Sequence, residues 1–290
     1  SRGIMDRAVC LSLEIHKPGN RRKVSSSQVE TDADKSMINV SKLLLDSEEY
    51  KAISRHDGEV RQWLYSRALP GPFRAGVYLI PHELVLDVDT HLREAGNTRE
   101  ALIDAFIAAY PALESEAAAK LGSLYDPKDY PAESLLRAAF SVHWSYFAFQ
   151  TPDTLRRIST QLFERERDKA VASWVDATKE VRDALRVGFA ELVDHMAERL
   201  TGDKVFRNSL VENFRDFLST FDFRNITDDA ELQVLVASAS QLLDGVNPDT
   251  LRKQEGLRDA VARGMAEINA SLDTMIVNRP KRRLEIGGAE

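Results

Sequence analysis

Apolar residues in this chain recur mainly at steps of three and four, and only briefly at steps of two. The longest such stretch lies between Pro152 and Pro248, with no proline in between. From Asp153 to Leu200, helical spacing is kept by Val171, Trp174, Val181, Leu185, Phe189, Leu192, Met196 and Leu200. That predicts one helix of roughly 70 Å at about 1.5 Å per residue. The mixed-sign run Glu164 to Lys169 inside it reads as solvated helix surface, with local pairs such as Glu164–Arg167. Phe206, Leu210, Phe214, Phe217 and Phe221 stripe the next helix. Asp228 with Glu231 resembles a capping box and opens a helix through Leu232, Leu235, Ala239 and Leu242, closed by Gly245. Asn247-Pro248 opens the last helix, whose near-heptad stripe runs Leu251, Leu257, Val261, Met265, Ile268, Leu272, Met275. The stripes at 171–200 and 251–276 match in length and period, so antiparallel packing is expected.

The first half mixes the two periods. Val9, Leu11, Leu13 and Ile15 alternate with Cys10, Ser12, Glu14 and His16, which predicts a half-buried strand. Lys17-Pro18-Gly19-Asn20 turns it, and Val24 to Asp34 reads as an exposed loop. Asp46 is placed to cap a helix through Tyr50, Ile53, Val60 and Leu64, which Pro70-Gly71-Pro72 ends. Gly76 to Ile80 is a second strand, stopped by Pro81. It should pair with the first, since a lone strand leaves its backbone unsatisfied. From His82 helical spacing returns, with a break expected at Gly96-Asn97 and a bend or restart at Pro111. After Tyr130-Pro131, Ser134 should cap a helix from Leu135 to Phe149 that is apolar nearly all round.

The fold class predicted is mainly α. It is a long antiparallel helical hairpin, or coiled-coil-like bundle, with a small two- or three-stranded β element near the N-terminus. The expected division is an N-terminal α+β part over 1–132, with strands about 8–16 and 76–80, and a long-helix bundle over 133–290, packed together as one unit.

Composition narrows the function classes. The 290 residues are 43% hydrophobic and 29% charged, a globular balance that a disordered chain lacks. No apolar stretch approaches the roughly 20 residues that span a bilayer. The N-terminus has no apolar stretch of signal-peptide length, and Met5 reads as the native start. Lys+Arg 39 against Asp+Glu 46 leaves a net charge of −7, so nucleic acid is not attracted by the chain as a whole. A single cysteine, Cys10, excludes an intramolecular disulfide and suits a reducing cytoplasm.

Candidate chemistry is sparse. The histidines are His16, His56, His82, His91, His143 and His195, and none forms H-E-x-x-H. His82-Glu83 with His91 is the nearest approach, at a separation that suits no chelate. His143 reads as a satisfied core residue and His195 as a surface one. Gly71 and Gly76 have the outer spacing of a phosphate loop, but Val77 stands where its lysine must be. The acid pairs Asp87/Asp89 and Asp228/Asp229 could bind a hard cation, yet the second is better explained by the acid preference of a helix N-terminus. Cys10, on an alternating strand, reads as packing. No catalytic residue, metal or cofactor is therefore expected. Two basic clusters remain, Arg21-Arg22-Lys23 and Arg279, Lys281, Arg282, Arg283, and either could meet phosphates.

The order strand, polar loop, capped helix, short strand Gly76-Val77-Tyr78-Leu79-Ile80-Pro81, then long charged helices resembles the family called domain of unknown function 3150. The closing Arg279-Pro280-Lys281-Arg282-Arg283-Leu284 is similar to that family's basic end. The resemblance spans about Asp6 to Leu284 and its motifs are diffuse. It carries over no catalytic residue. It implies a phage or mobile-element setting, sometimes beside AAA+ ATPases of the MoxR type, and hence a protein partner. The expected function is a non-enzymatic, cytoplasmic protein-interaction or assembly component of a phage, mobile-element or defence-associated complex. Its expected partner is an AAA+ ATPase or a second copy of the chain, and no membrane. The alternative is a nucleic-acid-binding accessory protein using the clusters at 21–23 and 279–283.

Overall fold

The computed structural model describes residues 3–70, 76–201 and 206–276, except the side chain of Met5. The protein is mainly α, with helix over 68% of the described chain and a small antiparallel sheet. In order, the elements are β1 (Ala8–His16), β2 (Arg21–Val24), β3 (Val40–Leu43), α1 (Glu48–Arg67), β4 (Leu69–Pro70), β5 (Val77–Pro81), α2 (Val85–Leu121), α3 (Glu133–Ala138), β6 (Ser141–Phe147), α4 (Thr154–Ile158), α5 (Thr160–Leu200), α6 (Asn208–Arg224), α7 (Ala230–Leu242), α8 (Pro248–Lys253) and α9 (Glu255–Met275). They form two compact units. One takes residues up to Ser12, Arg61–Asp89 and the chain from Ser145 on. The other takes Leu13–Val60 and Thr90–Trp144.

The first unit is built on α5 and α9. Asn269 donates to Asp194 at 3.2 Å, and Arg186, two turns earlier on α5, donates to the Met275 carbonyl at 3.2 Å, so the helices run antiparallel. The apolar periods of both helices bury against each other and against α6, through Val181, Leu185, Phe189, Phe214, Met265 and Leu272. Phe189 stacks on Phe217 at 5.4 Å and meets Phe214 edge-on at 5.9 Å. Strands close this core, because Cys10, Leu69, Val77 and Leu79 belong to it. The sheet order is β4–β5–β1–β6, and β1 pairs antiparallel with β5, Cys10 opposite Leu79, as the backbone argument requires.

The second unit centres on Phe106, which meets Tyr50 at 5.7 Å, Phe140 at 5.8 Å and Tyr110 at 6.1 Å. Ile53 and Ile103 complete that core. Beside it, Arg99 Nε donates to Asp57 at 2.8 Å, with both side chains 3% exposed. Arg99 Nη2 also donates to the His16 carbonyl at 2.8 Å. A separate antiparallel ribbon, β2–β3, pairs Arg22 with Lys42 and Lys23 with Ser41.

Several expectations are corrected. The helix expected over 135–149 stops after α3 and gives way to β6. There Val142, Trp144 and Tyr146 are half-buried, while His143 and Ser145 between them are exposed. Aromatic and β-branched residues favour a pleated surface, so His143 is an exposed strand residue and not a core histidine. The sheet thus has four strands, one of them from mid-chain. Arg21 to Lys23, between the expected turn and loop, lie on β2. The expected break at Gly96-Asn97 and restart at Pro111 are absent: α2 is one continuous helix through all three. Burial of Arg99, Ile103, Phe106 and Tyr110 along one side outweighs the local cost. Pro111 is exposed, and its missing N–H deprives only one carbonyl of a helical donor.

Caps also shift. Ser47, not Asp46, caps α1, accepting from the Tyr50 N–H at 3.1 Å, while Asp46 binds Lys51. Asp229, not Asp228, caps α7. The long helix expected from Asp153 divides at Ser159, and the last one divides at Gln254. Three helices, α6 to α8, separate α5 from α9 along the chain, so the antiparallel pair is not a simple hairpin.

Candidate interaction surface

Helix α5 opens where the Ser159 hydroxyl accepts the Leu162 N–H at 3.2 Å. Phe163, Trp174, Ala177 and Val181 bury one face of its first half. Arg156 lies over Phe163 at 4.3 Å, and Trp174 Nε1 donates to the Phe149 carbonyl at 3.2 Å. Val171, expected in the buried stripe, leaves it. Val171 is 58% exposed and Val175 is 65% exposed. The physical reason is angular. At about 100° per residue, Val171 projects roughly 80° from Phe163, and Val175 roughly 120°. Glu164, Asp168, Lys179 and Arg182 share that flank and are also exposed. Among the described residues, no side-chain hydrogen bond or ion pair engages Glu164 or Lys179. In the charged run, the pairs formed are Lys169–Glu166 at 2.9 Å, Arg167–Asp168 at 3.1 Å and Arg165–Glu166 at 3.5 Å, and not Glu164–Arg167.

One turn past Arg182 the flank is occupied. Arg186 donates to Asp229 at 2.6 and 2.9 Å, to Glu231 at 3.1 Å and to the Met275 carbonyl. Burial alone would raise the Asp229 carboxyl. Bonds from Arg186 and the Leu232 N–H outweigh it and hold the carboxyl below the ordinary range. The same pairing raises the Arg186 guanidinium. This cluster ties α5, α7 and α9 together.

Other polar groups are structural in the same sense. Arg224 is 2% exposed, lies 5.4 Å over the Phe217 ring and donates weakly, at 3.4 Å, to the Ala68 carbonyl. Burial pulls its pKa down to about 10. Cys10 is 1% exposed, and burial pushes its thiol up, away from nucleophilic use. A groove of about 250 Å³ lies between Leu43, Leu44, Leu113, Ala117 and Leu121, rimmed by Asp46, Glu116 and Lys120. It is smaller than the roughly 300–1,000 Å³ of cofactor sites.

Arg21, Arg22 and Lys23 are exposed on β2, with Arg22 3.6 Å from Asp129. The ribbon register puts Arg21 and Lys23 on one face with Ser41 and Leu43, all exposed. Arg22 shares the other face with Lys42, which is engaged by Asp129 at 2.7 Å. Arg279, Lys281, Arg282 and Arg283 lie outside the described residues, as does Gly71. Among the described residues no group of three or more His, Cys, Asp or Glu is placed to hold a metal ion, and no helix is long and apolar enough to cross a membrane. The sequence reading missed Val175 and the flank it sits on. The available signal was two valines four apart, off the core stripe, between an acidic and a basic pair. No family model, curated protein or solved structure matches this chain.

Proposed function

We propose that this chain is a non-enzymatic protein-interaction or assembly component of a phage, mobile-element or defence-associated complex, acting in the cytoplasm. The observation that carries the reading is the exposed pair Val171 and Val175 on a long helix whose other face is anchored in the core. Apolar side chains exposed at i and i+4 on a rigid helix form the kind of contact face that partner helices use. The antiparallel α5–α9 pair, read as coiled-coil-like, supplies the rigid support. The resemblance to the domain of unknown function 3150 family supports a MoxR-type AAA+ ATPase as one partner. The test is to mix the purified chain with such an ATPase and measure binding. V171D/V175D should lower affinity by more than about tenfold, since buried interface positions carry most of the energy. Equal binding by wild type and the double variant would refute the assignment of this face.

A second reading is favoured by Arg21 and Lys23, which share an exposed ribbon face, since two-stranded ribbons fit a nucleic-acid major groove. It requires nucleic-acid binding that weakens with salt and falls on reversal of Arg21, Arg22 and Lys23.

A further inference from the structure

We infer that the exposed flank of α5 pairs antiparallel with the same flank of a second copy of this chain. This rests on the interaction reading above and names its partner. Six exposed residues follow the flank in order: Glu164, Asp168, Val171, Val175, Lys179, Arg182. At 3.6 residues per turn they fall within about 80° of arc, and from first to last they cover about 27 Å of helix. The arc is centred roughly 115° from the buried Phe163, Trp174 and Val181. Its charge is ordered as two acids, two valines, two bases.

That order is self-complementary in one direction only. A two-fold axis midway between Val171 and Val175 sets Val171 against Val175 of the second copy. The same axis brings Glu164 opposite Arg182 of the second copy, and Asp168 within one residue of its Lys179. Each contact occurs twice, as an isologous interface requires. A parallel pair would instead oppose acid to acid and base to base. The groups needed are not engaged elsewhere by strong contacts. Glu164 and Lys179 have no side-chain partner among the described residues, and Asp168 meets its chain neighbour Arg167. Arg182 exerts a through-space attraction on Asp229. The flank ends at Arg186, whose guanidinium is already engaged by Asp229 and Glu231.

One helix face per copy is a small interface beside the roughly 1,200–2,000 Å² of stable complexes. The dimer is therefore reversible, dependent on concentration, and weakened by salt because its ion pairs lie at the rim.

Sedimentation equilibrium of the full chain alone provides the test. Wild type should show a monomer–dimer equilibrium that shifts to monomer as salt rises. E164K/D168K makes the flank wholly basic and K179E/R182E makes it wholly acidic. Each should dimerise at least about tenfold more weakly. An equimolar mixture of the two should regain the dimer, because every opposed pair is then of unlike charge. V171D/V175D should be monomeric. Circular dichroism checks that each variant keeps its fold, and the single variants E164K and R182E replace any that does not, with the same direction expected. A wild type monomeric at every concentration overturns the inference. So does a dimer indifferent to all variants, or a mixture that fails to associate. A monomeric wild type that still binds the ATPase through Val171 and Val175 sinks only this pairing and leaves the broader interaction reading intact.

Discussion

Asp229 joins two tasks at a single carboxylate. It accepts Arg186 at 2.6 Å and caps α7 by accepting the Leu232 N–H at 3.2 Å. Its folded pKa lies below its unfolded one, because these bonds outweigh its burial. The stabilisation is therefore complete above the unfolded carboxylate value, about 3.9, and is lost as pH falls through the folded value. Asp229→Asn removes the charge but keeps an oxygen that can cap. Arg186 then retains Glu231 and the Met275 carbonyl. The expected loss at neutral pH is about 2–3 kcal/mol, less than for a fully buried pair left half empty. Urea denaturation followed from neutral pH to acid should show wild type losing this advantage below about pH 4. Parallel curves for the two proteins throughout would mean that Asp229 carries no linked proton.

At the scale of elements, two helical glycines should respond to the same change with opposite sign. Gly264 lies on α9, where an added Cβ would come within 2.6 Å and 2.8 Å of the two Leu242 methyl carbons on α7. Gly58 on α1 faces open space. Gly58→Ala should stabilise by up to about 1 kcal/mol through helix propensity. Gly264→Ala should instead destabilise by about 1 kcal/mol, because overpacking exceeds the propensity gain. Thermal melts of the pair decide it, and stabilisation by both would mean that the Leu242 side chain turns aside to admit the new methyl. The regular elements were legible wherever one period ran unopposed. The stripe on α6 and the helix start at Asn247-Pro248 followed from local sequence, and the pairing of β1 with β5 from the need to satisfy their backbones. Legibility failed at β6, where an apolar run suits either period and only the neighbouring strand decides. It failed again along α2, where local breakers were overridden by burial of Arg99, Ile103, Phe106 and Tyr110 against residues distant in sequence, such as Asp57, which no local window contains.

Across the whole molecule, the core around α5 and α9 is not made from the C-terminal part of the chain alone. Ile4, Ala8, Cys10, Leu69, Val77 and Leu79 are all buried in it. A fragment beginning at residue 133 would keep the long helices yet expose the apolar face those residues cover. Such a fragment should retain helical far-UV circular dichroism, bind a hydrophobic dye and melt without a sharp transition. A cooperative melt close to that of the full chain would show those strands to be dispensable. The candidate surface was less legible than the fold for a related reason. Val171 fits helical spacing with Trp174, so a count of apolar steps assigns it inward. Its angular offset becomes visible only once Phe163, Trp174 and Val181 fix which way the helix faces.

Cys10 carries the one sulfhydryl of the chain and is 1% exposed on β1 opposite Leu79. A thiol reagent cannot reach it without prising β1 from the helices behind. The native chain therefore holds its own stopwatch. Modification at this one atom counts openings of the β1–β5 sheet against α5, with no engineered label and no second thiol to confuse the signal. When opening is the slow step, the modification rate is the opening rate. When reclosing is fast, it reports the free energy of that opening.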